Sequence, residues 1–237
     1  MSTTEPAPAS TPDTTPWLPL SVNARGIYLA AAIDPTNPCY NTAELLECPV
    51  GTNLDTLRQA LRRLYEENEG FRVRTRLHAG RAEQQVLGLD EFLENTEFLE
   101  NIELLPVPEN PHEEEPDSEP VPAMVRAWAS SLIAEPLNPD AGITVRSRVA
   151  FYADRLWVYH SFHHVVADGF AAFNGLSRIA SIYRALSSGH LVPPVSRASL
   201  AELIAADNAA EPARASDYEY WTAGEGATAL EQPDTSL

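Results

Sequence analysis

The chain has no lysine: all 16 of its basic residues are arginine. That absence rules out Schiff-base chemistry and any lysine clamp on a phosphate. Positive charge is scarce altogether, 16 basic residues against 34 acidic ones, for a formal charge of -18. Nucleic acid and anionic membranes need a basic face, so neither is expected as a partner. Cysteine is equally sparse. Cys39 and Cys48 cannot form a disulfide framework and have no neighbours at zinc-ligand spacing, so they read as reduced thiols of a cytoplasmic protein. No apolar run reaches the roughly 18 residues of a membrane span. The opening MSTTEPAPASTPDTTP has neither the basic start nor the apolar core of a secretory signal. It reads as a disordered tail over residues 1–16.

What remains is 44% apolar in 237 residues, enough for one well-packed domain. Residues 20–33 place apolar side chains at helical spacing. NTAELLECPV is strand-like. TNLDTLRQALRRLYEENEG is the clearest helix, with Thr52 or Asn53 to cap it, an apolar face of Leu54, Leu57, Leu61, Leu64 and Tyr65, and Gly70 as its expected stop. FRVRTRL then alternates and turns through HAG into RAEQQVL, a hairpin pattern whose Arg72, Arg74 and Arg76 share one face. Where that face is covered, one of these arginines must meet a carboxylate.

Residues 90–121 are the acidic centre, with the word EFLEN repeated at a period of six and PENPHEEEPDSEPVP after it. Its proline and like-charge density reads as a solvated surface loop, about 104–121. AMVRAWASSLIAEPL is a further amphipathic helix. Two strands follow at about 143–152 and 156–163, joined by a tight ADR turn; then come a helix over 170–189 and a last one near 199–210. Strands alternating with amphipathic helices predict an α/β domain, a sheet with helices packed on it.

One stretch concentrates chemistry: YHSFHHVVADGFAAF, residues 159–173, holds three of the six histidines. His163 and His164 fall at a strand end and Asp168-Gly169 just before a helix, so the segment between is a strand-to-helix loop, where scaffolds present reactive groups. Metal binding would draw on His160, His163, His164 and Asp168. Adjacent strand residues point to opposite faces, however, and no partner cluster exists elsewhere, so no metal is expected. A serine nucleophile at Ser161 lacks the G-x-S-x-G context. The pattern alone leaves buried, hydrogen-bonded imidazoles and a catalytic base level with each other.

HHVVADG resembles the H-H-x-x-x-D-G motif of the condensation domains of non-ribosomal peptide synthetases, shared with chloramphenicol acetyltransferase-like acyltransferases. Other segments are similar to the same family: LPLSVNARGIYLAAAIDP to its opening helix, YNTAELLE to its first long strand, and LRQALRRLYEENEGFRVRTRL to the stretch ending in its Leu-Arg-Thr motif. DRLWVYHSFHHVVADGFAAFNGLSRIASIYRAL is similar to domains of enterobactin-synthase type, and DYEYW to the passage into a second lobe. The resemblance spans about residues 17–222. Ala24 stands where the family usually has glutamine, and Asn68-Glu69 where it usually has His-Glu.

The resemblance implies a chloramphenicol acetyltransferase-like lobe, an α+β two-layer sandwich with a mixed sheet. It also implies an acyltransferase that forms peptide bonds, by attack of an acceptor amine on a donor acyl thioester. Both substrates would ride on phosphopantetheine arms of carrier proteins, with no metal and no directly bound cofactor. His164 would act as base or hold the amine, and Gly169 would leave room beside the thioester. His163 would be structural, and Asp168 would pair with Arg72 to shape the loop. Residues 17–189 would form the N-terminal lobe and 190–237 a linker towards a missing C-terminal lobe and downstream synthetase domains. Such a half-domain, of siderophore or other secondary-metabolite biosynthesis, would have little activity alone. Two alternatives accompany this expectation: an acyltransferase completing its site across a trimer, and a non-catalytic docking module for a carrier protein.

Overall fold

The computed structural model describes residues 15–96, 98–107 and 121–209. Most of the expected tail over 1–16, the acidic segment 108–120 and the stretch from 210 onward, with DYEYW, lie outside these residues. In chain order the elements are β1 (Leu18–Pro19), α1 (Val22–Ala31), β2 (Asn41–Cys48), α2 (Leu54–Glu67), β3 (Val73–His78) and β4 (Arg81–Val86). There follow α3 (Leu89–Asn95), β5 (Phe98–Leu104), α4 (Ala123–Ile133), β6 (Val145–Tyr152), β7 (Arg155–His163), α5 (Gly169–Ser187) and α6 (Leu200–Ala209).

Local chemistry starts and stops these elements. Asn53 caps α2, its side-chain oxygen accepting from Thr56 N at 2.9 Å. The helix buries Leu57, Ala60, Leu61, Leu64 and Tyr65, each of the two central leucines contributing about 2 kcal/mol. Gly70 is not its stop. The helix ends at Glu67, where the Asn68 side chain donates to the Leu64 carbonyl at 2.6 Å, and Gly70 lies in the short 3₁₀ turn that follows. Between β3 and β4, Ala79 and Gly80 take φ of 49° and 76°, the left-handed pair a tight hairpin requires. Ahead of the expected loop the acidic region carries regular structure: the first EFLEN word lies in α3, and residues 98–101 of the second lie in β5.

The strands form a small sheet in the order β1-β4-β3 and a larger one in the order β2-β7-β6-β5. In the larger sheet β5 runs parallel to β6 and the other neighbours are antiparallel, which makes it mixed. Strand β7 lies inside this sheet with both of its faces covered. Val158 and Phe162 pack in the core cluster that includes Leu61 and Leu64 of α2 and Ile179 and Ile182 of α5. Trp157 and Tyr159 pack with Val125, Trp128 and Leu132 of α4 on the other face. Burial on both faces explains why β7 reads as one long apolar run.

A buried ion pair ties α2 to α5. Arg178 Nε and Nη2 donate to the two Glu67 oxygens at 2.8 and 2.7 Å, and both side chains are less than a tenth exposed. Nη2 also donates to the Pro193 carbonyl at 2.7 Å, which seats the strap before α6. The planar guanidinium makes three directed bonds here that an ammonium would match poorly.

Candidate functional site at the end of β7

The three clustered histidines stand in three different environments. His160 points into the core, where the Ser147 hydroxyl lies 2.9 Å from its Nδ1 and the Tyr65 phenol 3.4 Å from that hydroxyl. Burial pushes its pKa down to about 4, so it is neutral near pH 7. His163 is the last residue of the strand and only 5% exposed. Its backbone N–H donates to the Thr144 carbonyl at 2.9 Å, and its Nδ1 accepts from Val165 N at 3.1 Å. Burial, and then the charge of the neighbouring His164, push its pKa down to about 4 as well. His164 alone of the three is not buried. Its backbone is fixed by donation to the Tyr40 carbonyl at 2.8 Å, and the residue is half-buried.

Asp168 and Gly169 begin α5. The Asp168 carboxylate accepts from Ala171 N at 2.8 Å and caps the helix, and the residue is exposed. A Cβ built on Gly169 meets nothing within 4 Å, so that position borders open space beside the loop. The expected Arg72–Asp168 salt bridge does not form. Arg72 turns inward instead: its Nε donates to the Tyr65 carbonyl at 2.8 Å and its Nη1 to the Leu87 carbonyl. Those carbonyls, at the end of α2 and just past β4, capture the guanidinium before it reaches the loop. The face of the other two arginines is shared with Trp17, whose ring lies 3.7 Å from the Arg76 guanidinium carbon. Arg76 also pairs with Glu83 at 2.7 Å.

Two cavities flank the loop. One, about 570 Å³, is walled by Tyr28, Ala31, Ala32, Leu77 and Leu137 and reaches His163. The other, about 760 Å³, runs along α5 past Phe170, Asn174 and Ser177 to Arg197 and reaches Val166 of the loop. Sequence reasoning missed the network beneath the first cavity. The Asp140 carboxylate accepts from Thr75 Oγ1 at 2.6 Å and from the Tyr28 phenol at 3.4 Å, across separations of 65 and 112 residues that no local pattern signals. Among the described residues, no three or more His, Cys, Asp or Glu side chains gather at a spacing that would hold a metal ion.

The family model described as Condensation domain matches residues 16–235. The chain belongs to the condensation domain family. Among curated relatives, a dimodular nonribosomal peptide synthase of Bacillus subtilis (strain 168) is 30% identical over 187 residues, 77% of this chain and 7% of that protein. An isonitrile lipopeptide synthase of Streptomyces coeruleorubidus is 28% identical over 227 residues, 93% of this chain and 14% of that protein. Among solved structures, the starter condensation domain of rhizomide synthetase RzmA matches with a TM-score of 0.69 at 20% identity, over 87% of this chain and 47% of that one. A variant of that domain has been solved with C8-CoA. The first condensation domain of the calcium-dependent antibiotic synthetase, in complex with a substrate analogue, gives a TM-score of 0.71 at 22% identity, over 93% and 50%. The chain therefore spans about half the length of the solved chains it matches and a small part of the synthetases. These likenesses establish the chloramphenicol acetyltransferase-like fold with its mixed sheet and packed helices.

Proposed function

We propose that this chain supplies the histidine-bearing half of a site that joins an acceptor amine to a carrier-bound acyl thioester. The observation that carries the reading is the position of His164: a half-buried residue on a backbone-anchored turn, in the loop whose His163 and Val166 each line a cavity. Each cavity gives one phosphopantetheine arm a route to the loop, one from the donor carrier protein and one from the acceptor. The amine nitrogen attacks the thioester carbonyl; a C–N bond forms, the C–S bond breaks, and the thiol leaves. His164 takes the proton from the attacking nitrogen and returns it to the departing sulfur. The open space at Gly169 admits the reacting carbons, and its N–H at the start of α5 lies at the positive end of the helix, suited to the developing oxyanion. Asp168 acts on substrate only indirectly, by fixing where that helix begins.

The experiment is a single-turnover reaction of a complete condensation domain containing this chain, with acyl and aminoacyl thioesters on two carrier proteins. His164→Ala lowers the rate of amide formation by at least about 100-fold, with the thermal midpoint unchanged. The 237-residue chain alone runs far slower than the complete domain, because one wall cannot orient two arms. A His164→Ala domain that keeps its rate contradicts the assignment.

A further inference from the structure

Two carbonyls, one on each side of β7, hold the turn that carries the paired histidines. His164 N donates to the Tyr40 carbonyl at 2.8 Å and His163 N to the Thr144 carbonyl at 2.9 Å. Tyr40 is the residue before β2 and Thr144 the residue before β6, and β7 lies between these two strands in the sheet. Where β2 and β6 begin therefore sets where the turn sits.

Both strand starts are fastened to one place, the end of α4. Carbonyls at a helix end need partners from elsewhere, and the negative end of the helix favours a guanidinium there. Asn41, the first residue of β2, donates from Nδ2 to the Ile133 and Glu135 carbonyls at 3.0 and 2.8 Å, and its Oδ1 accepts from Leu137 N at 3.4 Å. Arg146, the second residue of β6 and only 8% exposed, donates from Nη1 to the Leu132 and Glu135 carbonyls at 3.2 and 3.1 Å. The Glu135 oxygen thus takes a bond from each strand start and joins β2 to β6 across β7. Two fastenings that converge on one oxygen fix more than the helix: they fix the spacing of the strands on either side of the histidines. Asn41 is also part of the wall of the 570 Å³ cavity, yet both Nδ2 protons are taken by carbonyls, so it offers no donor to a ligand there.

We propose that Asn41 and Arg146 are positioning residues for the paired-histidine turn, acting through the carbonyls of Tyr40 and Thr144. The inference rests on the reading of His164 as the group that serves the amine, and deepens it by naming what holds that group in place. Transfer between two tethered arms is sensitive to displacements of about 1 Å. Loosening a strand start therefore slows the reaction without altering how the carriers bind.

The test is single-turnover amide formation by the complete domain, with carrier concentration varied so that maximal rate and half-saturation are read separately. Asn41→Ala lowers the maximal rate about 10-fold and leaves half-saturation unchanged. Arg146→Met does the same, and Arg146→Lys, which returns a cationic donor at the end of α4, recovers part of the rate. Asn53→Ala is the control. It removes the cap of α2, at the end that meets Tyr183 near the last turn of α5, and lowers the thermal midpoint without changing the rate. Amide hydrogen exchange in the 237-residue chain gives a local readout: Asn41→Ala quickens exchange at His164 by a larger factor than in the β3–β4 hairpin. Equal factors overturn the inference. So do maximal rates for Asn41→Ala and Arg146→Met that fall no further than the control's, or a half-saturation that rises in step with the loss, while His164→Ala still shows its large effect. A His164→Ala domain that keeps its rate overturns the reading of His164 and this proposal with it. Should Asn41→Ala and Arg146→Met fail to fold, Arg146→Lys decides: a reduced maximal rate at unchanged half-saturation supports the proposal, and a full wild-type rate ends it.

Discussion

The middle and the end of β7 make an instructive pair. At the middle, His160 is enclosed between Ser147 and the aromatic core around Tyr65. At the end, three and four residues later, His163 and His164 sit where the sheet gives way to a turn. Residue type and strand are the same, yet the middle position is bonded to a side chain of the neighbouring strand, while the end positions are held chiefly through their backbones. Holding the backbone leaves ring nitrogens free for other molecules. The difference lies in depth and in which atoms the scaffold uses, and the proposed function assigns the reactive role to His164.

The comparison breaks first on pH. His160 and His163 hold pKa values of about 4 in the fold against 6.5 for an ordinary imidazole. The unfolded chain therefore binds more protons than the native one between those values, and stability present above about pH 6.5 is lost as pH falls towards 4. For His160 the loss over that window is roughly 3 kcal/mol. Urea unfolding at a series of pH values should show a shallower acid slope in His160→Leu than in wild type; identical slopes would mean that His160 is not the enclosed group described here.

A smaller effect separates Asp168 from Arg72. Asp168→Ala removes a helix cap and costs about 1 kcal/mol. Arg72→Ala removes the guanidinium from the Tyr65 and Leu87 carbonyls, an independent loss. Since the two side chains do not meet, the double variant in thermal or urea unfolding should equal the sum of the singles within roughly 0.5 kcal/mol. A coupling well beyond that would restore the salt bridge the family pattern implied. Smallest of all is Gly169→Ala, whose added methyl enters empty space with no backbone strain. Stability should move by less than about 1 kcal/mol, while amide formation in the complete domain drops, because the proposed function gives that space to the substrate. Equal effects on both would make Gly169 an ordinary helix residue.

Much of this was legible in the sequence because it depends on local chemistry. Asn53 capping an amphipathic helix, the Ala79-Gly80 hairpin and HHVVADG bridging a strand and a helix all follow from neighbours a few residues apart. The partners of Arg72 were not legible. A guanidinium reaches several carbonyls and carboxylates, and only the tertiary placement of the Tyr65 and Leu87 carbonyls decides among them. Tyr28, Thr75 and Asp140 were invisible for a related reason, since three distant elements must first converge. Gly70 misled because glycine at a helix end is frequent, while here Asn68 closes α2 with its own side chain.

The central claim is that the paired histidines are unequal partners in one reaction. Its most direct measurement is the single-turnover rate of amide formation by the complete domain carrying His164→Ala, set beside the same domain carrying His163→Asn. The account predicts a loss of at least about 100-fold for the first and no more than about 10-fold for the second, with both domains folded. Equal losses, or the larger loss at His163, would contradict it.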